Sequence, residues 1–168
     1  ERPAHIVYFA YVDITGSSGE NVFSRELVRA LARQPGVRLT LIAPRSERPL
    51  PDDLRAPNVM VRALPAKRRG RLLWALSIQR ATLRSLRQAR AHFGPPIGHI
   101  VTLRLAALLP PLLSRLSNTP QVLLVEGHEA RNVGRMTSVP GASKVMTAVA
   151  WLNAVCSVRV MAAYGAIR

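Results

Sequence analysis

A doubly wound parallel α/β sheet in a single domain is the fold class this sequence predicts, and three observations predict it. Five short apolar runs rich in β-branched and aromatic residues alternate with helix-patterned segments. The first run is apolar on both faces, as a strand covered by helices on each side must be. The chain of 168 residues, 48% hydrophobic, is one domain's worth and can bury a sizeable core.

The first strand is His5 to Ala10, followed by a turn, Thr15-Gly16-Ser17-Ser18-Gly19. Phe23, Leu27 and Leu31 then recur at i, i+4, i+8, which marks one face of a helix. Ser17 and Glu20 stand three apart at its start, the spacing of a capping box. Gln34-Pro35-Gly36 stops this helix, and Val37 to Ala43 reads as a second strand ended by Pro44. Arg45 to Pro57, proline-rich and of mixed charge, is a surface loop. Val59 to Leu64 is the third strand.

A long helix is expected over about Leu72 to Ala91, with Leu72, Ala75, Leu83 and Leu86 on its apolar side and Arg80, Arg84 and Arg87 on another. Gly98 to Leu103 is the fourth strand. Leu105 to Leu116 reads as a short helix confined or kinked by Pro110 and Pro111. Gln121 to Val125 is the fifth strand, a polar loop follows, and Ser143 to Asn153 is helical. The tail from Ala154 to Arg168 is one more short strand or helix.

Net charge is +15, carried almost wholly by arginine. Twelve basic residues against three acids lie between Arg45 and Arg90, so the basicity is local and suggests a face that meets phosphate-rich partners. Lys67, Arg68, Arg69 and Arg71, with Arg80, Arg84 and Arg87 on the following helix, form the candidate membrane-facing element, a basic amphipathic segment for an anionic surface. Nucleic acid is disfavoured because aromatics are only 5% of the chain and do not interleave with the arginines. Cys156 is the lone cysteine and forms no intrachain disulfide, in keeping with a reducing, cytoplasmic location. The longest uncharged run, Val145 to Val158, has fourteen residues, short of the roughly 20 that a spanning helix needs.

Ligands of a doubly wound sheet sit beyond the carboxyl ends of its strands. That rule selects one candidate site: the turn Gly16, Ser17, Ser18 and Gly19; the strand end Thr102 to Arg104; and the turn Glu126, Gly127, His128 and Glu129. A glycine turn leading into a helix gathers free N–H groups and the positive end of a helix dipole, which suits phosphate. The turn is not G-x-G-x-x-G, and no acid follows the second strand to hold a ribose hydroxyl, so a nicotinamide dinucleotide is disfavoured. It also misses G-x-S-x-G by one residue, which sets a serine hydrolase aside. Four scattered histidines and one cysteine offer no metal spacing. His128 follows a buried strand, and its imidazole could accept a proton or donate to a sugar hydroxyl.

In their order along the chain, the opening strand His5 to Ala10, the turn and helix Gly16 to Leu27, the strand Leu39 to Pro44, the strand end Glu126 to Glu129, and the closing stretches Trp151 to Ser157 and Tyr164 to Ala166 resemble one family. It is the N-terminal domain of GT-B type glycosyltransferases, in the glycosyltransferase-4-like group of retaining enzymes. The resemblance implies a Rossmann-like, acceptor-side domain spanning 1–168, with the C-terminal donor-binding domain absent from this chain. It implies a nucleotide-sugar donor as substrate, no further cofactor, and a glycan, lipid-linked or phosphorylated acceptor. By resemblance, Gly16 and Gly19 approach the donor diphosphate or the acceptor, and His128 sits near the transferred sugar as the catalytic residue. The family often places His-Gly after the fifth strand, whereas this chain has Gly127-His128. Two rival readings are a non-catalytic basic module binding anionic membranes or phosphoryl ligands, and a nucleic-acid binder.

Overall fold

The computed structural model describes residues 3–46, 48–65, 71–104, 107–126, 142–157 and 159–163. In chain order they form β1 (Ala4–Phe9), α1 (Gly19–Ala32), β2 (Val37–Pro44), a single 3-10 turn (Asp52–Leu54) and β3 (Val59–Leu64), then α2 (Arg71–Phe93) and β4 (Gly98–Thr102). There follow α3 (Leu109–Leu116), β5 (Gln121–Glu126), α4 (Ala142–Cys156) and β6 (Arg159–Ala163). All described strand pairs are parallel, and the sheet order is β3-β2-β1-β4-β5-β6. The five expected strands are present, and the tail supplies a sixth at the edge beside β5.

Strand alternation divides the core in two. Val7 and Phe9 of β1, with Val101 and Leu123, face a layer built from Ile78 and Leu86 of α2, Leu113 of α3 and Val149 of α4. Tyr8 and Ala10, with Leu39, Leu41 and Leu124, face Val28 of α1 and Leu54 of the 3-10 turn. Both faces are covered, which is why the strands read as continuous apolar runs.

Two local expectations are corrected. The N-cap of α1 is Ser18, not Ser17: Ser18 is extended (φ −66, ψ 156), and its side chain accepts from the Asn21 amide at 3.3 Å. Glu20 does not close a capping box, because Arg104 holds its carboxylate. The buried side of α2 runs through Ile78, Thr82, Ser85 and Ala89, a step round the wheel from the expected leucine face; Leu86 is buried at its margin and Leu83 is half-buried. The side chains of Leu72 and Ala75 lie outside the described residues. Of the two outcomes expected for Pro110 and Pro111, the first holds: the regular part of α3 is confined to Leu109–Leu116, and both prolines lie in its first turn, where a missing N–H costs no helical hydrogen bond.

The amino end of the sheet is pinned by buried polar groups. The Ser114 hydroxyl donates to Gln121 Oε1 (2.9 Å), so its oxygen accepts from His99 Nδ1–H at 2.6 Å. Gln121 Nε2 in turn donates to Asn153 Oδ1 (3.3 Å) and Ser157 Oγ (3.0 Å), and Asn153 Nδ2 donates to the carbonyls of Ala107 and Val149. One chain of oriented bonds thus ties β4, α3, β5 and α4 together. The nearby His5 bonds the Gly94 carbonyl (2.8 Å) and Thr40 Oγ1 (3.0 Å).

Burial, helped by the charges of His5 and Arg90, lowers the pKa of His99 to about 4, and burial lowers that of His5 as well. The unfolded chain therefore binds the extra protons between about pH 6.5 and 4, so stability falls as pH drops through that window. His99→Gln is expected to reduce the loss of unfolding free energy between pH 7 and pH 4 by roughly 3 kcal/mol, as measured by urea titration at each pH. An unchanged pH dependence would show that His99 is not the acid-sensitive group.

Candidate functional site

Because β1 sends its crossover to β2 on one side and β4 lies on the other, the strand order reverses between β1 and β4. A crevice opens outside the carboxyl ends at such a point. The chain leaving β1 begins to turn at Tyr11, whose φ of 53° is unusual for a residue with a bulky side chain. Its ring stacks on Phe9 and packs against the α2 layer. Burial raises the pKa of its hydroxyl, and Thr82 Oγ1 lies near enough to offset this slightly without regular hydrogen-bond geometry.

The turn that follows is shaped by side chains. Asp13 Oδ1 accepts from the Thr15 amide (2.9 Å) and the Thr15 hydroxyl (2.8 Å), and the Gly16 amide closes onto the Asp13 carbonyl at 3.1 Å. Arg25, one turn into α1, reaches back to the carbonyls of Ile14 and Gly16, each at 3.2 Å. Those carbonyls are thus directed at a cation and away from the helix start. Gly16 packs closely under Asn21: a Cβ there would lie 1.8 Å from Asn21 Nδ2 and 3.3 Å from the Asp13 carbonyl oxygen, so the Asn21 side chain would have to swing aside. Ser17, Ser18 and Gly19 are exposed at the mouth, where the first amides of α1 begin.

Arg104, two residues past β4, crosses the crevice to Glu20 in the first turn of α1. Both side chains are largely shielded, with 16% and 27% of their surface exposed. Beneath this ion pair, Tyr8 of β1 meets Ser24 Oγ of α1 at 2.8 Å and Thr102 Oγ1 of β4 at 3.0 Å. Two ties therefore join the elements on either side of the strand reversal: a fully buried hydroxyl floor in the core and, above it, an ionic bridge.

Of the expected site residues, Gly16, Ser17, Ser18, Gly19 and Arg104 lie at this rim, and Glu126 ends β5 on the same carboxyl edge. Gly127, His128 and Glu129 lie outside the described residues, as do Lys67, Arg68 and Arg69; of Arg71 the backbone alone is described, opening α2. Arg80, Arg84 and Arg87 are exposed on α2, away from the crevice. Sequence reading missed Tyr8, Asp13, Ser24 and Arg25, whereas Thr102 lies in the strand end it selected. Asp13-x-Thr15 before a glycine carried a legible turn signal, whereas Tyr8 and Ser24 looked like ordinary core and helix positions. Among the described residues no cluster of histidine, cysteine and carboxylate could hold a metal ion.

No protein-family model and no curated protein matches the chain. Solved structures do. Sucrose-phosphate synthase from Thermosynechococcus elongatus superposes with a TM-score of 0.60 at 15% identity, over 96% of this chain and 47% of that one. MurG from Acinetobacter baumannii gives 0.54 at 17% identity, over 96% and 42%. A UDP-glucosyltransferase from Polygonum tinctorium, described as capable of glucosylating indoxyl, gives 0.52 at 14% identity, over 83% and 33%. These structures are GT-B glycosyltransferases, and the likeness establishes a Rossmann-like half of that architecture. The chain spans less than half the length of each.

Replacing Tyr8 by Phe leaves the Ser24 and Thr102 hydroxyls to repartner around a missing oxygen. The expected loss is about 1–3 kcal/mol of unfolding free energy. Thr102→Val in the Tyr8→Phe background should cost less than Thr102→Val alone, and additive losses in that double-mutant cycle would show that the hydroxyls do not act together.

Proposed function

We propose that this chain is the acceptor-side domain of a nucleotide-sugar-dependent glycosyltransferase, and that a second Rossmann-like domain completes its cleft and binds most of the donor. The observation that carries this reading is what gathers at the strand reversal, where doubly wound sheets bind their ligands. The turn at Gly16, the N-terminus of α1 and the Arg104–Glu20 pair meet at the strand reversal, on a fold shared with half of each sugar-transfer enzyme it superposes on.

Sugar transfer from a nucleotide diphosphate breaks the bond between the anomeric carbon and the phosphate oxygen, so negative charge grows on the leaving phosphate. Amide dipoles and a guanidinium held at that place lower the barrier. Here the amides following Ser18 and the Arg104 side chain are the groups available, and Arg104 reaches an entering phosphate by exchanging one anion for another. His128, next in the chain after the β5 end at Glu126 and Gly127, is assigned to the sugar or acceptor hydroxyl, with Glu129 beside it. The grouping with retaining glycosyltransferase-4-like enzymes, and a glycan, lipid-linked or phosphorylated acceptor, belong to this same reading. So does a cytoplasmic location.

The test is a transfer assay on the polypeptide that includes the second domain, with a panel of nucleoside diphosphate sugars and acceptors. Arg104→Ala and His128→Ala are each expected to lower kcat/KM at least about tenfold, the scale of one lost charge or proton contact in a transition state, His128→Ala with little change in Tm and Arg104→Ala with a lower Tm from the unpaired Glu20. Hydrolysis or transfer from no nucleotide sugar, or variants as active as the parent, would overturn the assignment.

A further inference from the structure

The two faces of the sheet differ in charge. Helix α1 mixes Glu20 and Glu26 with Arg25 and Arg29. The helices of the opposite layer, α2, α3 and α4, carry seven basic residues and no acid. All three bury their inner sides in one core cluster on one face of the sheet, so their outer sides point away from the protein together.

Those outer sides are also unusually apolar. On α3 and the residue before it, Leu108, Leu112 and Leu116 recur at i, i+4, i+8 and are all exposed, Leu116 by 85%. On α4, which packs against α3, Trp151 is 66% and Val155 53% exposed one turn apart. Leu76 of α2 is half exposed, beside a surface depression of about 320 Å³ lined by Leu76, Ser77, Arg80, Ala81 and Arg84. Single exposed apolar residues are ordinary, but a leucine row, a tryptophan and an arginine-flanked hollow on one acid-free layer are not.

We infer that the outer face of α2, α3 and α4 docks on an anionic lipid bilayer, with Leu112, Leu116 and Trp151 entering the interface while Arg80 and Arg84 hold a lipid phosphodiester. The pattern fits both parts of such a surface: tryptophan and leucine at the depth of the headgroups, and arginine at the phosphates. Charge chooses the occupant. A second copy would set this acid-free face against its like, and nucleic acid would use the arginines while leaving the leucine row in water. The contact goes beyond the sugar-transfer reading and does not depend on it. None of the three helices is long and apolar enough to cross a membrane, which makes this a contact in the plane of the surface.

The test uses the 168-residue chain with phosphatidylcholine vesicles, with and without phosphatidylglycerol. Cosedimentation is expected only with the anionic lipid. In a Trp74→Phe background, Trp151 fluorescence should shift to the blue and be quenched by brominated acyl chains. Arg80→Gln and Arg84→Gln should each lower partitioning about fivefold, one surface charge's worth, and Leu112→Gln with Trp151→Gln should lower it further with the urea midpoint unchanged. Equal binding to neutral vesicles, unquenched Trp151, a concentration-dependent dimer abolished by the same substitutions, or oligonucleotide binding unaffected by the Leu112 and Trp151 changes would each overturn the inference.

Discussion

The reversal of strand order between β1 and β4 is the constraint on which the rest of this structure depends. A parallel pair needs a right-handed crossover, so the chain leaving β1 for β2 places α1 on one face, while the return from β3 to β4 places α2 on the other. At the strands' carboxyl ends the two connections part, and among the described residues side chains tie the two sides together: Arg104 after β4 and Glu20 in α1 form an ion pair across residues far apart in sequence. Tyr8 ties the same two sides below, through Ser24 and Thr102.

These two ties differ in kind. The hydroxyl floor is buried, and a hydroxyl deprived of its partner there keeps its full desolvation cost, so the floor fixes how α1 sits on the sheet. The ionic bridge keeps 16% and 27% of its two side chains exposed, so of the two ties it is the one that solvent and solutes can reach.

Much of the fold was legible because burial on both faces writes strands as apolar runs, and punctuation such as Gly36 and Pro44 separates them. What was not legible follows from two physical causes. Ser17 and Ser18 are chemically alike, and only backbone angles decide which of them caps α1. In α2, Thr82, Ser85 and Ala89 are buried although their side chains are small or polar, since a helix lying close on a sheet favours small residues; a hydropathy wheel follows the leucines and rotates the face. The site was legible by topology and illegible in composition. Position beyond a strand end selected the Gly16 turn and the Thr102 to Arg104 strand end, but nothing in Tyr8 or Ser24 marks a core tyrosine and a helix serine as the hydroxyl partners of Thr102.

The charge asymmetry of the two faces bears on how such a domain works. The crevice lies at the rim of the sheet, and the acid-free helical layer flanks it, so docking by that layer would leave the rim clear. A surface held through arginines and a few apolar side chains also constrains orientation more than distance, because the phosphate plane fixes the tilt of α2 while α3 and α4 set the depth. For any acceptor anchored in the same bilayer, this turns a search in three dimensions into one along a plane, and the rim approaches it from a fixed side. Selection on such a chain would then act on two separate surfaces: acids retained near the crevice, where Glu20 must balance Arg104, and acids excluded from α2, α3 and α4, where a single one would repel the lipid phosphates.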